Sequence, residues 1–74
     1  MQDRKGDEKV IRVNGVEELQ LEGKNLKAYL QEKGYRMERI AVERNGDIVP
    51  KSSYQNIILQ DGDVLEVVSF VGGG

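Results

Sequence analysis

The apolar stretch "VLEVVSFV", residues 64–71, constrains the fold of this chain more than any other segment. Read as a strand, it places Leu65, Val67 and Val71 with Ser69 on one side, and Val64, Val68 and Phe70 with Glu66 on the other. A strand apolar on both sides belongs in the middle of a sheet. With 74 residues the chain can build one small core, so the other elements must flank this strand and cover one of its faces. The second face then leaves Val68 and Phe70 to solvent, a patch that calls for a partner. The strand runs straight into Gly72, Gly73 and Gly74. Glycines offer no side chain, so their contribution must come from a free backbone, a narrow cross-section or the Gly74 carboxylate.

Two Asn-Gly pairs supply the flanking strands. In "RIAVERNGDIVP" a two-residue turn at Asn45-Gly46 pairs Val42 with Val49 and Arg44 with Asp47, an apolar pair and an opposite-charge pair. Pro50, lacking an N–H, ends that ladder. In "KVIRVNGVEELQLE" the same turn at Asn14-Gly15 would set Ile11 opposite Glu18 and leave Leu19 and Leu21 on the other face. An odd-length, bulged loop would instead gather Ile11, Val13, Leu19 and Leu21 on one face, and that is the expected form. Between the hairpins, "NLKAYLQEKGY" reads as a short helix with Asn25 as N-cap, Leu26, Tyr29 and Leu30 as its apolar stripe and Gly34 as a left-handed C-cap. The segment "KSSYQNIILQDGD" is an irregular connection whose Ile57, Ile58 and Leu59 partly fill the core, with Asp61-Gly62-Asp63 turning into the last strand. Residues 1–8 are almost wholly polar and read as a disordered leader, with a domain over residues 9–71 and a glycine tail over residues 72–74.

Composition excludes several chemistries. There is no cysteine and no histidine. Disulfides, thiolate metal sites, Cys-His or Ser-His nucleophiles and imidazole acid-base catalysis are therefore out of reach, and the chain does not read as an enzyme. Asp61 and Asp63 read as turn formers, not as a metal pair. Tyr29, Tyr35 and Tyr54 read as core-edge residues, not as stacking platforms for bases. A net charge of −2 with both signs interspersed argues against a nucleic-acid surface. No apolar run is long enough to span a bilayer, and the expected location is cytoplasmic.

The order of hairpin, helix, hairpin, connection and long last strand resembles the ubiquitin-like β-grasp fold, an α+β architecture with one main helix across a mixed sheet. Within it, "IAVERNGDIVPKSSY" and "LQDGDVLEVVSFVGGG" resemble the ThiS family of sulfur carriers in thiamin thiazole synthesis. The resemblance implies that the first and last strands lie parallel at the sheet centre. It implies that a ThiF-like adenylating enzyme uses ATP to activate the Gly74 carboxylate, that a donor such as a cysteine desulfurase converts it to a thiocarboxylate, and that a ThiG-like thiazole synthase receives the sulfur. No cofactor is bound by the chain itself. Gly72 and Gly73 are then the flexible approach, and Val68, Phe70 and Val71 the docking residues. The third glycine departs from the usual pair and adds about 3.3 Å of reach. Three other functions share parts of this pattern: the small subunit of molybdopterin synthase, whose ending generally carries a proline absent here, a ubiquitin-like modifier, and a β-grasp interaction domain without tail chemistry.

Overall fold

The computed structural model describes residues 10–70. The expected leader, Val71 and the three tail glycines lie outside them. Five strands form one sheet in the order β2-β1-β5-β3-β4, with β1 at Val10–Val13, β2 at Val16–Leu19, β3 at Ile40–Arg44, β4 at Asp47–Val49 and β5 at Val64–Ser69. The doubly apolar strand β5 is central. It runs parallel to β1 and antiparallel to β3, the mixed β-grasp arrangement.

One helix, α1 at Leu26–Glu32, covers a single face of this sheet. Asn25 caps it by accepting a hydrogen bond from the Ala28 N–H at 3.1 Å. Gly34 ends it at a φ of 88°, with Gly34 N–H donating to Gln31 O and Tyr35 N–H to Leu30 O, the double bond pattern of a Schellman cap. At seven residues the helix is too short to hold itself. Burial of Leu26, Tyr29 and Leu30 against Ile11, Val42 and Leu65 secures it. Tyr54 and Leu59, from the connection, close the core, whereas Ile58 is half-exposed rather than core-filling as expected. Tyr29 and Tyr54 sit well inside the core, and burial raises the pKa of both phenols.

The second hairpin has the expected register, Val42 opposite Val49 and Arg44 opposite Asp47. The first does not. Val13 pairs with Val16 and Ile11 with Glu18, so the loop is a strict two-residue turn and the expected bulge is absent. Asn14 and Gly15 take φ values of 52° and 82°, both positive as a type I′ turn requires. That turn matches the twist of its strands, and its geometry outweighs the burial of one leucine. Leu19 is consequently 58% exposed. Leu21 is nonetheless buried, because Gln20 adopts a φ of 73° and redirects the chain inward after β2 ends. Leu21→Ala is therefore expected to lower stability by about 2–4 kcal/mol, and Leu19→Thr to change it by less than about 0.5 kcal/mol. Urea unfolding of the two variants checks this, and equal losses would restore the bulged pairing.

Candidate functional site

The site is built around the exit of β5. Because β5 is central, its two faces have different fates: Leu65 and Val67 enter the core under α1, while Val64, Glu66 and Val68 face away from it. On the open face Val68 pairs with Ala41 of β3 and is 55% exposed. Phe70 lies just past the strand end, where its N–H donates to Arg39 O at 2.7 Å, and it is 54% exposed. The expected docking residues Val68 and Phe70 are thus brought together on the open face beside the chain's exit. Val71, Gly72, Gly73 and Gly74, the remaining expected site residues, lie outside the described ones.

Beside this apolar pair, Glu43 and Glu66 stand directly opposite each other on β3 and β5, and Glu43 in turn faces the exposed Ile48 of β4. Like charges in that position oppose sheet formation. Neither carboxylate has an ion-pair partner among the described residues. Among the described residues the open face therefore presents apolar groups around an acidic pair, a surface suited to a partner with apolar and basic groups.

Asp63 anchors the far end of β5. It is 6% exposed. Its carboxylate accepts from the Gln60 N–H at 2.9 Å, the Asn45 side-chain amide at 3.1 Å and the Arg44 guanidinium at 3.1 Å. Burial is the largest single influence on its pKa and acts upward, but these donors and the Arg44 charge outweigh it and hold the carboxyl below its ordinary value. Asp61 accepts from the Val10 N–H at 2.8 Å. Both carboxylates are thus engaged with the protein's own donors, in keeping with turn formation. Among the described residues no three His, Cys, Asp or Glu side chains converge to hold a metal, and no helix is long and apolar enough to cross a membrane.

Sequence reasoning did not find the part played by Asn14. Its side chain grips the Val67 backbone, 53 positions away, with Oδ1 accepting from the Val67 N–H at 2.8 Å and Nδ2 donating to Val67 O at 3.3 Å. The Asn-Gly pair signalled a turn; a partner so distant in sequence left no local trace.

The ThiS family profile matches residues 7–74. The chain is 41% identical over 66 residues to the sulfur carrier protein ThiS of Bacillus subtilis, covering 76% of this chain and 98% of that protein. It is 38% identical over 65 residues to the ThiS of Thermus thermophilus, covering 88% of this chain and all of that protein. A thiazole synthase of Paramagnetospirillum magneticum is 47% identical over 62 residues, a match that takes in 84% of this chain and 19% of the synthase. The chain thus spans about a fifth of the thiazole synthases it resembles. In three dimensions it superimposes on the crystal structure of a thiamine biosynthesis protein (ThiS) from Geobacter metallireducens with a TM-score of 0.72 and 29% identity, covering 88% of this chain and 99% of that one.

Proposed function

This chain belongs to the ThiS family, and from that premise we propose that it is a sulfur carrier of thiamin biosynthesis in which Gly74 is the residue whose carboxylate carries the sulfur. The observation that carries the proposal is the reach of the family match to residue 74. The matched range takes in all three glycines, so the family likeness runs through the tail and does not stop at the last strand.

In this reading a carboxylate oxygen of Gly74 attacks the α-phosphorus of ATP in a ThiF-like enzyme, pyrophosphate leaves, and an acyl-adenylate forms. A persulfide on a donor such as a cysteine desulfurase then displaces AMP to give an acyl disulfide, and attack of a second thiol of the partner enzymes on its outer sulfur releases the thiocarboxylate and leaves a disulfide between the two thiols. The chain's own contribution is physical. Gly72, Gly73 and Gly74 have no Cβ to block a narrow channel and can adopt positive φ, so the carboxylate can be threaded to the phosphate. With no cysteine of its own, the chain has no thiol on which to carry sulfur. Thiazole synthase as the receiving enzyme is supported by the relatives of that name, in which a stretch like this chain forms about a fifth of the polypeptide. The setting for this chemistry is the cytoplasm, where ATP is at hand.

The test is pyrophosphate exchange. Label is expected to move from pyrophosphate into ATP only when the adenylating enzyme and this chain are both present, and absence of exchange would remove the proposal. Docking is assigned to Val68 and Phe70 of the open face, together with Val71, the next residue along the chain. Phe70→Glu is therefore expected to keep the fold and weaken binding to the adenylating enzyme by about 30-fold, as roughly 2 kcal/mol for an unpaired charge in a desolvated contact gives. Calorimetric titration showing unchanged affinity would place the docking surface elsewhere.

A further inference from the structure

We infer that Asn14 is a positioning residue for the reaction at the chain end: its side chain stands in for a missing strand beside β5 and fixes the line along which β5 delivers the tail. This rests on the carrier function proposed above.

Strand β1 stops at Val13, while β5 continues to Ser69. Along β5 the backbone groups alternate sides. Val68 and Glu66 sit opposite Ala41 and Glu43 of β3, and Phe70 N–H donates to Arg39 O on the same side. The N–H and C=O groups of Leu65, Val67 and Ser69 consequently turn toward β1. Leu65 O still finds main chain there, accepting from Asn14 N–H at 2.9 Å. At Val67 that strand has already turned back into its hairpin. The Asn14 amide fills the gap by offering one acceptor and one donor, the pair a strand residue would present. Asparagine suits both tasks, because it tolerates the left-handed backbone of the turn and carries the amide. Among the described residues, the last hold on that side of β5 would without it fall at Leu65, and the Val67 N–H and C=O would lose the partner they have.

The second hairpin contains its own control. Asn45 occupies the same turn position at a φ of 54°. Its N–H donates to Val64 O at 2.8 Å, and its Oδ1 accepts from Val64 N–H at 2.9 Å. One asparagine therefore clamps each end of β5, and only Asn14 sits beside the exit.

The experiment compares Asn14→Gly with Asn45→Gly. Glycine is at home at positive φ, so both hairpins keep their turns; Asn14→Gly loses the clamp on Val67, and Asn45→Gly loses the clamp on Val64 together with its hydrogen bond to Asp63. Both variants are expected to unfold at lower temperature than wild type. At saturating carrier, Asn14→Gly is expected to lower kcat for ATP-pyrophosphate exchange about tenfold with KM within about twofold, the signature of lost positioning rather than lost docking. Asn45→Gly should hold kcat within about twofold of wild type. Faster hydrogen exchange at the Val67 amide in Asn14→Gly would accompany this. Should Asn14→Gly fail to fold, Asn14→Asp, which keeps the turn and the acceptor but lacks the donor, is expected to show a smaller fall in kcat. An unchanged kcat in the Asn14 variants, or equal losses at both asparagines, would overturn the inference while leaving the carrier function standing. A wild-type chain that supports no exchange would remove both.

Discussion

Replacing Asp63 with alanine is expected to destabilise the fold by about 2–4 kcal/mol, a large share of what a domain of this size possesses. The carboxylate gathers the Gln60 N–H, the Asn45 amide and the Arg44 guanidinium, so its removal orphans three donors from two segments. Arg44 lies opposite Leu65 in the β3–β5 ladder and is only 28% exposed in its side chain, so its charge is left where water compensates it poorly. The same site dictates an acid response. Because the folded-state pKa of Asp63 is depressed, its contribution is complete above the unfolded value of about 3.9 and is lost as pH falls from there through the lower folded value. Urea unfolding at about pH 7 and about pH 3 separates the two effects: the variant should be far weaker near neutrality, and the gap should narrow in acid. A constant gap would mean that packing, not charge, is what Asp63 supplies.

Features written locally were legible. The turn at Asn45-Gly46 and its register, the Asn25 cap, the Gly34 terminator and the central place of the doubly apolar strand all follow from residue type and spacing, and the structure contains each of them. The first hairpin departs from the register that apolar alternation favours, because turn geometry wins over alternation there. In the fold the Asn14-Gly15 turn sets the register, and Gln20 returns Leu21 to the core at the cost of exposing Leu19. Asp63 read as a turn residue, and its role as a hub depends on Arg44 and Asn45, brought alongside only by the antiparallel pairing of β3 with β5. The clamp from Asn14 to Val67 is more distant still. Of the candidate site, Val68 and Phe70 were legible because an apolar residue on the uncovered face of a central strand has nowhere to hide. The glycines and Val71 lie outside the described residues, and their part rests on the proposed function.

The largest effect on function is expected from the end of the chain. Removing Gly74, or appending one residue after it, shifts the carboxylate by about 3.3–3.6 Å along an extended chain. Misplacement by about 1 Å can already cost a hundredfold in rate, so activation should fall by at least about that factor. The fold is expected to persist, because the core found among the described residues is built from side chains between Ile11 and Val67. The unfolding midpoint of the altered chains is therefore expected to match that of the full one, which separates loss of chemistry from loss of structure. The most direct measurement is the intact mass of the chain after incubation with ATP, the adenylating enzyme and a sulfur donor. The full chain is expected to gain the difference between sulfur and one oxygen, and the chain lacking Gly74 to stay at its original mass. Equal sulfur gain by both, or lysine-linked conjugates in place of sulfur on the full chain, would contradict the assignment of Gly74 as the sulfur-carrying residue.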